Sequence, residues 1–186
     1  VTVRIGDWMQ TASGRKVYPL DLRPEEICID DIAHHLSHLC RFAGATREFY
    51  SVAQHSVYVS RIVPPSDALW GLLHDASEAY LVDLPRIIKR WEPIGGPYRE
   101  AERWAMLAIC RRFDLSLPEP ESVKVADHRV LMAEKRDLMA QAEHRWAEDT
   151  GLEPMAERIA AWHPETARES FLTRFHRLTG GSNVPA

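Results

Sequence analysis

The stretch WGLLHDASEAYLVDLP, residues 70–85, constrains the fold more than any other part of the chain. Its leucines and alanines read as a helix buried on most sides, yet His74, Asp75, Glu78 and Asp83 are set among them. A carboxylate buried without a partner is strongly disfavoured. The chain must therefore fold so that other segments bring compensating groups to this one.

Those segments are mostly helical by pattern. DWMQTASGRKVYPL reads as a small hairpin, with Gly14 supplying the turn. RPEEICIDDIAHHLSHLCRFAG carries a helix capped by Asp30 or Asp31 and ended by Gly44, with Ile32, Leu36, Leu39 and Cys40 as its apolar stripe. REFYSVAQHSVYVSRIV reads as a second helix, stopped by Pro64 and Pro65. Ser66 caps a third, DALWGLLHDASEAYLV, which ends before Pro85. PIGGP reads as a loop, PYREAERWAMLAICRRF as a fourth helix, SLPEPES as a loop and VKVADHRVLMAEKRDLMA as a fifth helix. The last helix, PETARESFLTRFHRL, places Ala167, Phe171, Phe175 and Leu178 on one face. The pattern predicts an all-α class with a small N-terminal hairpin. It predicts one domain over 1–180, with the hairpin in 1–20 and the helical core in 31–140, and a frayed tail at 181–186.

A chain of 186 residues, 45% of them hydrophobic, can bury a core of its own. The net charge of -4 argues against a basic surface for nucleic-acid polymers, though not against a nucleotide held in a local positive pocket. Cys28, Cys40 and Cys110 are scattered, with no CxxC, and read as reduced thiols of an intracellular protein. No apolar run is long enough to span a bilayer and VTVRIGDWMQ lacks the apolar core of a signal peptide, so the expected location is the cytoplasm and no membrane partner is expected.

The ionisable residues at core positions carry the chemistry. His55 shares a helical stripe with Val52, Val59 and Ile62. His74 and Asp75 flank a face made by Leu72, Leu73, Ala76 and Ala79. Neighbouring helix positions differ by about 100°, so both can line one cavity. Asp127 lies on a stripe with Val123, Val130 and Leu131. Three such anomalies on three helices point to one shared site, and two imidazoles with two carboxylates suit a divalent metal. Mixed nitrogen and oxygen donors fit Mn, Fe, Co, Ni or Zn better than Ca, and Mg is compatible if the carboxylates dominate.

With these residues in view, His55, the His74-Asp75 pair and Asp127 resemble the H…HD…D signature of the HD-domain metal-dependent phosphohydrolases. YSVAQHSVYVS, LLHDASEAYLVDLPRIIK and VKVADHRVLMAEKRDL are similar to the YfbR-like 5'-deoxynucleotidases. The N-terminal TASGRKVYPLDLRPEEICIDDIAHHLSHLCRFAG resembles small phage and bacterial HD proteins, among them dNTP and dATP triphosphohydrolases. The resemblance covers about residues 8–140, and the spaced set HDxSExxxxDLP is far more specific than the dipeptide alone. It implies a compact HD-domain helical bundle and a nucleotide substrate. It also implies His55, His74, Asp75 and Asp127 as metal ligands, Glu78 as catalytic acid/base, Asp83 as a second acidic residue near the sugar, and Arg41 as a phosphate contact. Phe42 stands where the bacterial 5'-deoxynucleotidases have a tryptophan that helps reject ribose, which leaves deoxy selectivity open. Gln54 stands where relatives often carry Glu. A homo-oligomer is expected by resemblance only.

Plainer roles stand beside these. Glu78 can be a solvated helix residue, Asp83 a helix-terminating residue before Pro85, and Arg41 a cation at a helix C-terminus. His34 and His38 have ligand-pair spacing, but the four-residue set makes them redundant, and His35 reads as packed. Glu134, two turns beyond Asp127, can brace the site or pair with Arg136 or a neighbour. The tryptophans read mostly as core, and Arg111-Arg112 as a solvated pair. Arg15, Lys16, Arg23, Lys89 and Arg90 are the cations available to a triphosphate. The expected function is a 5'-deoxynucleotidase converting a dNMP to deoxynucleoside and phosphate. The alternatives are a dNTP triphosphohydrolase, a phosphodiesterase and a non-enzymatic metal-binding scaffold.

Overall fold

A computed structural model describes residues 3–146 and 151–181. The fold is all-α with one small hairpin, as the pattern predicts. Strands β1 (Met9–Gln10) and β2 (Lys16–Val17) pair antiparallel, Met9 opposite Val17, around a turn in which Gly14 takes a positive φ. The helices are α1 (Ile29–His38), α2 (Val52–Ile62), α3 (Ala68–Leu73), α4 (Glu78–Leu81), α5 (Arg86–Lys89), α6 (Glu92–Phe113), α7 (Glu121–Leu138) and α8 (Pro164–Leu178). Among the described residues, none of these helices is long and apolar enough to cross a membrane. The predicted tail lies, from residue 182, outside the described residues.

Helix α2 is the centre. It packs against α1, α3, α7 and α8, and every residue from Val52 to Ser60 is buried. The sequence pattern predicts one apolar stripe, whereas the helix is enclosed on all sides. Its polar residues tolerate this because each is bonded. Ser51 caps the helix by accepting from the Gln54 N–H, Ser56 donates to the Val52 carbonyl, and Ser60 donates to the Ala68 carbonyl. Gln54 donates to the Ala160 carbonyl at 2.7 Å and accepts from the Trp162 N–H at 2.8 Å. An amide offers both functions and an ionised Glu only one, so Gln54 is explained by the segment it anchors.

Several expected boundaries move. The third helix is broken: α3 ends at Leu73, and α4 starts at Glu78 after a tight turn in which Ala76 and Glu78 donate back to Leu73 and Asp75. Ser66 is not its cap; it donates to Asp67, the residue preceding α3. Neither Asp30 nor Asp31 caps α1, which starts after Cys28. Asp31 instead accepts from the N–H and hydroxyl of Ser13, fastening the hairpin turn to the helix. Helix α1 stops at His38, well before Gly44, and Phe42 and Ala43 take left-handed conformations. PIGGP is not a loop but lies inside α6. Gly95 is needed there because a Cβ would come within 1.9 Å of the Lys89 carbonyl oxygen. The tryptophans are not mainly core, for Trp8, Trp91 and Trp104 are exposed. Arg111 is solvated, whereas Arg112 donates to the Ile27 carbonyl.

Candidate metal centre and adjoining cavity

The site is built where α2, the turn after α3 and α7 meet. His55 is fully buried on α2, and its Nδ1 lies 2.7 Å from Oε1 of Glu134, itself fully buried on α7. A carboxylate can only accept, so His55 carries its proton on Nδ1 and turns Nε2 inward. His74 Nδ1 lies 2.9 Å from the Gly71 carbonyl oxygen, which fixes the same tautomer. The two Nε2 atoms then face each other at 3.3 Å. Two neutral imidazoles so oriented present lone pair to lone pair, which a shared proton or a cation relieves.

Carboxylates complete the surroundings. Asp75 Oδ2 lies 3.2 Å from His74 Nε2 and 3.7 Å from His55 Nε2, and Asp127 Oδ1 lies 3.2 Å from His55 Nε2. A metal with bonds of about 2.1 Å sets its ligands about 3.0–3.4 Å apart, in cis-octahedral or tetrahedral arrangement, which matches these separations except the longer one between Asp75 and His55. His55, His74 and Asp75 each offer a ligand atom within 4.8 Å of the others, and this cluster could hold a metal ion. Asp127 reaches His55 but is not part of that mutual set; its second oxygen lies 3.5 Å from Arg86.

The electrostatics favour a cation. Burial works against a charge on His74, yet Asp75 and Asp127 outweigh it and lift its pKa to about 9. At His55, burial and Arg41 oppose protonation, but Glu134 and Asp127 hold its pKa above the ordinary value. Burial opposes charge on Asp75 and Asp127 as well, and the two histidines keep both well below the usual carboxylate range.

These groups face a cavity of about 510 Å³, a size suited to a small ligand. Arg41, Phe42, Asp75, Glu78, Asp83 and Asp127 all line it, so the expected metal ligands, catalytic acids and substrate contacts meet here, with the fully buried His55 and the adjoining His74 behind the lining. Arg41 is mostly committed to the protein. Its guanidinium pairs with Glu134 at 3.1 Å and approaches Asp75 at 3.5 Å. Glu134 braces the site, as expected, and does not pair with Arg136, which binds Asp137. Glu78 is buried, and its Oε2 has no hydrogen-bond partner among the described residues. Burial, then Asp75 and Asp83, push its pKa well above that of an ordinary glutamate. Burial and Asp75 also raise Asp83 against the pull of Arg41.

Three residues of the site were not singled out as such from sequence. Lys89 is not a free phosphate cation: its ammonium lies 2.7 Å from Glu102 and 3.3 Å from Glu78. Glu102 is therefore the second member of that network. Trp146 lines the cavity and packs against Phe42. Of the other cations considered, Arg23 pairs with Asp21, and Lys16 lies over Trp8 and Tyr18 on the hairpin. His35 is packed between the Ala12 N–H and the Ala79 carbonyl, and His34 stacks on His38 outside the cavity.

No family model matches the chain. Two curated proteins do. "Uncharacterized protein RCAP_rcc00048" of Rhodobacter capsulatus is 32% identical, with 92% of this chain and 95% of that protein covered. "Uncharacterized protein YfdR" of Escherichia coli (strain K12) is 36% identical, with 92% of this chain and 96% of that protein covered. At that identity over nearly the full length of both, the chain belongs to the YfdR family.

Proposed function

We propose that the chain is a metal-dependent phosphohydrolase of the HD-domain type, acting on nucleotides, with deoxynucleoside 5'-monophosphates as the preferred substrates. One observation carries this reading. A His55–His74–Asp75 cluster reaches, through Asp75, a cavity that is also lined by the Arg41 guanidinium and by a buried Glu78 whose pKa is pushed up. A divalent ion at the cluster, with Asp127 as a fourth ligand, would supply a water of lowered pKa and neutralise phosphoryl charge. The chain's own residues do the rest. Glu134 and Gly71 hold both imidazoles in the ligating tautomer. Arg41 offers its remaining N–H donors to phosphoryl oxygens. As the P–O5' bond breaks and water adds to phosphorus, Glu78 passes its proton to the leaving O5'. Asp83, on the same wall, faces the sugar. Three free cysteines support a reducing compartment, the cytoplasm.

A second reading, a dNTP triphosphohydrolase, is favoured by Arg86 on the same cavity wall. A product assay on protein loaded with Mn or Co, offered dNMPs, NMPs and dNTPs, separates the two. Phosphate from dNMPs is the expected result, and triphosphate from dNTPs would replace it with the second reading. With metal bound and no product from any substrate, the phosphohydrolase assignment to nucleotides fails.

A further inference from the structure

The lining of the cavity is of two unlike kinds: charged side chains, among them Asp75, Glu78 and Lys89, and the apolar Phe42, Leu131, Met139 and Trp146. Arg41 joins them, for its guanidinium lies 3.5 Å from Asp75 and 5.3 Å from the centre of the Phe42 ring. The Phe42 and Trp146 rings are 5.8 Å apart at 53°, a tilted contact that leaves no gap for a third ring between them. An incoming ring must lie on an open face.

Trp146 lines this cavity and, with Met139, also a second one whose lining includes Lys135. The Lys135 ammonium lies 5.4 Å from the Trp146 ring centre. The indole thus contributes to both cavities, with a cation close to its ring. Residues 141–145 leading to it are all exposed, whereas Trp146 is half-buried. This segment projects one large side chain inward, and that side chain is aromatic.

We infer that Trp146 is the platform on which the substrate's aromatic base stacks, with Phe42 as its edge, so that recognition of the base rests on the segment after α7. The order of groups, from Asp75 and Arg41 to Phe42 and Trp146, follows the order of a nucleotide from phosphate to base. Stacking on an indole tolerates any base, because every base has a π-face. The site therefore distinguishes nucleotides from sugar phosphates more strongly than one base from another. This rests on the nucleotide reading above.

The test uses 2'-deoxyadenosine, which carries base and sugar and has no phosphate to lose, and 2-deoxyribose as its baseless counterpart. Binding to the intact protein is followed by calorimetry and by tryptophan fluorescence. The wild type should bind deoxyadenosine well above deoxyribose. Trp146→Ala should weaken deoxyadenosine about tenfold or more, while Trp146→Phe should recover most of it. In turnover, Trp146→Ala should raise KM for a dNMP with kcat nearly unchanged. Equal binding of deoxyadenosine by wild type and Trp146→Ala overturns the inference, as does a wild type that binds both compounds alike. If phosphate is still released from dNMPs in that case, only the base platform fails. Deoxyadenosine binding that depends on Trp146, without any phosphate release, keeps the platform and removes the proposed reaction.

Discussion

His55 and Glu134 are both fully buried and share a 2.7 Å hydrogen bond across α2 and α7, while the other oxygen of Glu134 holds Arg41 at 3.1 Å. One carboxylate thus orients a candidate metal ligand and neutralises a buried guanidinium. Glu134→Ala should lower metal affinity by about 10–100-fold, because the His55 tautomer is no longer fixed. It should also destabilise the fold by about 3–5 kcal/mol, because Arg41 is left buried without its main partner. Glu134→Gln, which keeps an acceptor for His55, should lose less of both. Metal retained after dialysis against a chelator and a denaturant titration read the two effects separately. Wild-type metal retention in Glu134→Ala would exclude the bracing role.

In the proposed reaction, Glu78 and Lys89 would set the pH dependence. Glu78 can donate a proton only while protonated, so kcat should fall as pH rises through its pKa. Burial, Asp75 and Asp83 raise that pKa, and Lys89 and Arg41 lower it. Removing the ammonium with Lys89→Met should therefore move the alkaline fall of kcat to higher pH. Glu78→Gln should lower kcat by about 10²–10⁴-fold at all pH values. A pH profile of kcat for the three proteins decides it, and a fall displaced to lower pH in Lys89→Met would contradict the assignment.

The part of this site legible in the sequence is the part that helical periodicity exposes. His55 falls on a stripe with valines and Asp127 on another, and an ionisable residue among apolar ones is visible without coordinates. The hairpin was legible for a similar local reason, the turn at Gly14. What escaped depends on contacts distant in sequence. Lys89 looks like any surface cation until α6 brings Glu102 to it, and PIGGP looks like a loop until α5 packs so closely on Gly95 that only glycine fits. Trp146 follows a run of polar residues and gives no periodic signal. The break between α3 and α4 is hidden because Leu73, Ala76 and Ala79 keep a helical pattern across a turn that the backbone tightens.

Asp137 ties the last turn of α7 to the segment before α8. It accepts from Arg136 at 2.6 Å, Arg158 at 2.6 Å and the Ile159 N–H at 2.9 Å. The Arg136 bond, against the cost of burial, keeps its pKa well below that of an ordinary aspartate. Between the folded and unfolded pKa the unfolded chain binds more protons, so this contribution to stability is full above about pH 4 and is lost as pH falls further. Asp137→Asn should cost about 1.5–3 kcal/mol at pH 7, and the gap in melting temperature from wild type should close as pH falls below 4. A gap independent of pH would mean that the carboxylate charge is not what Arg136, Arg158 and Ile159 recognise.

Gly71 sets the distance on which the metal cluster depends. A Cβ there would sit 3.0 Å from the Ser60 Cα and 3.2 Å from the Ser60 nitrogen, both backbone atoms of α2. Neither can give way as a side-chain tip would, so Gly71→Ala must push α3 away from α2. The displaced segment is the one that carries His74, whose Nδ1 is fixed by the Gly71 carbonyl and whose Nε2 lies 3.3 Å from that of His55. Overpacking of this kind costs about 1–3 kcal/mol, which lowers the melting temperature by about 2–4 °C per kcal/mol in a chain of this size. Beyond that loss, metal affinity should fall as well, since the two imidazoles no longer meet at ligand spacing. A competition titration with a chromogenic chelator, run well below the melting temperature, reads this second effect. A Gly71→Ala protein that melts lower but binds metal as tightly as wild type would show that the α2–α3 approach serves packing alone.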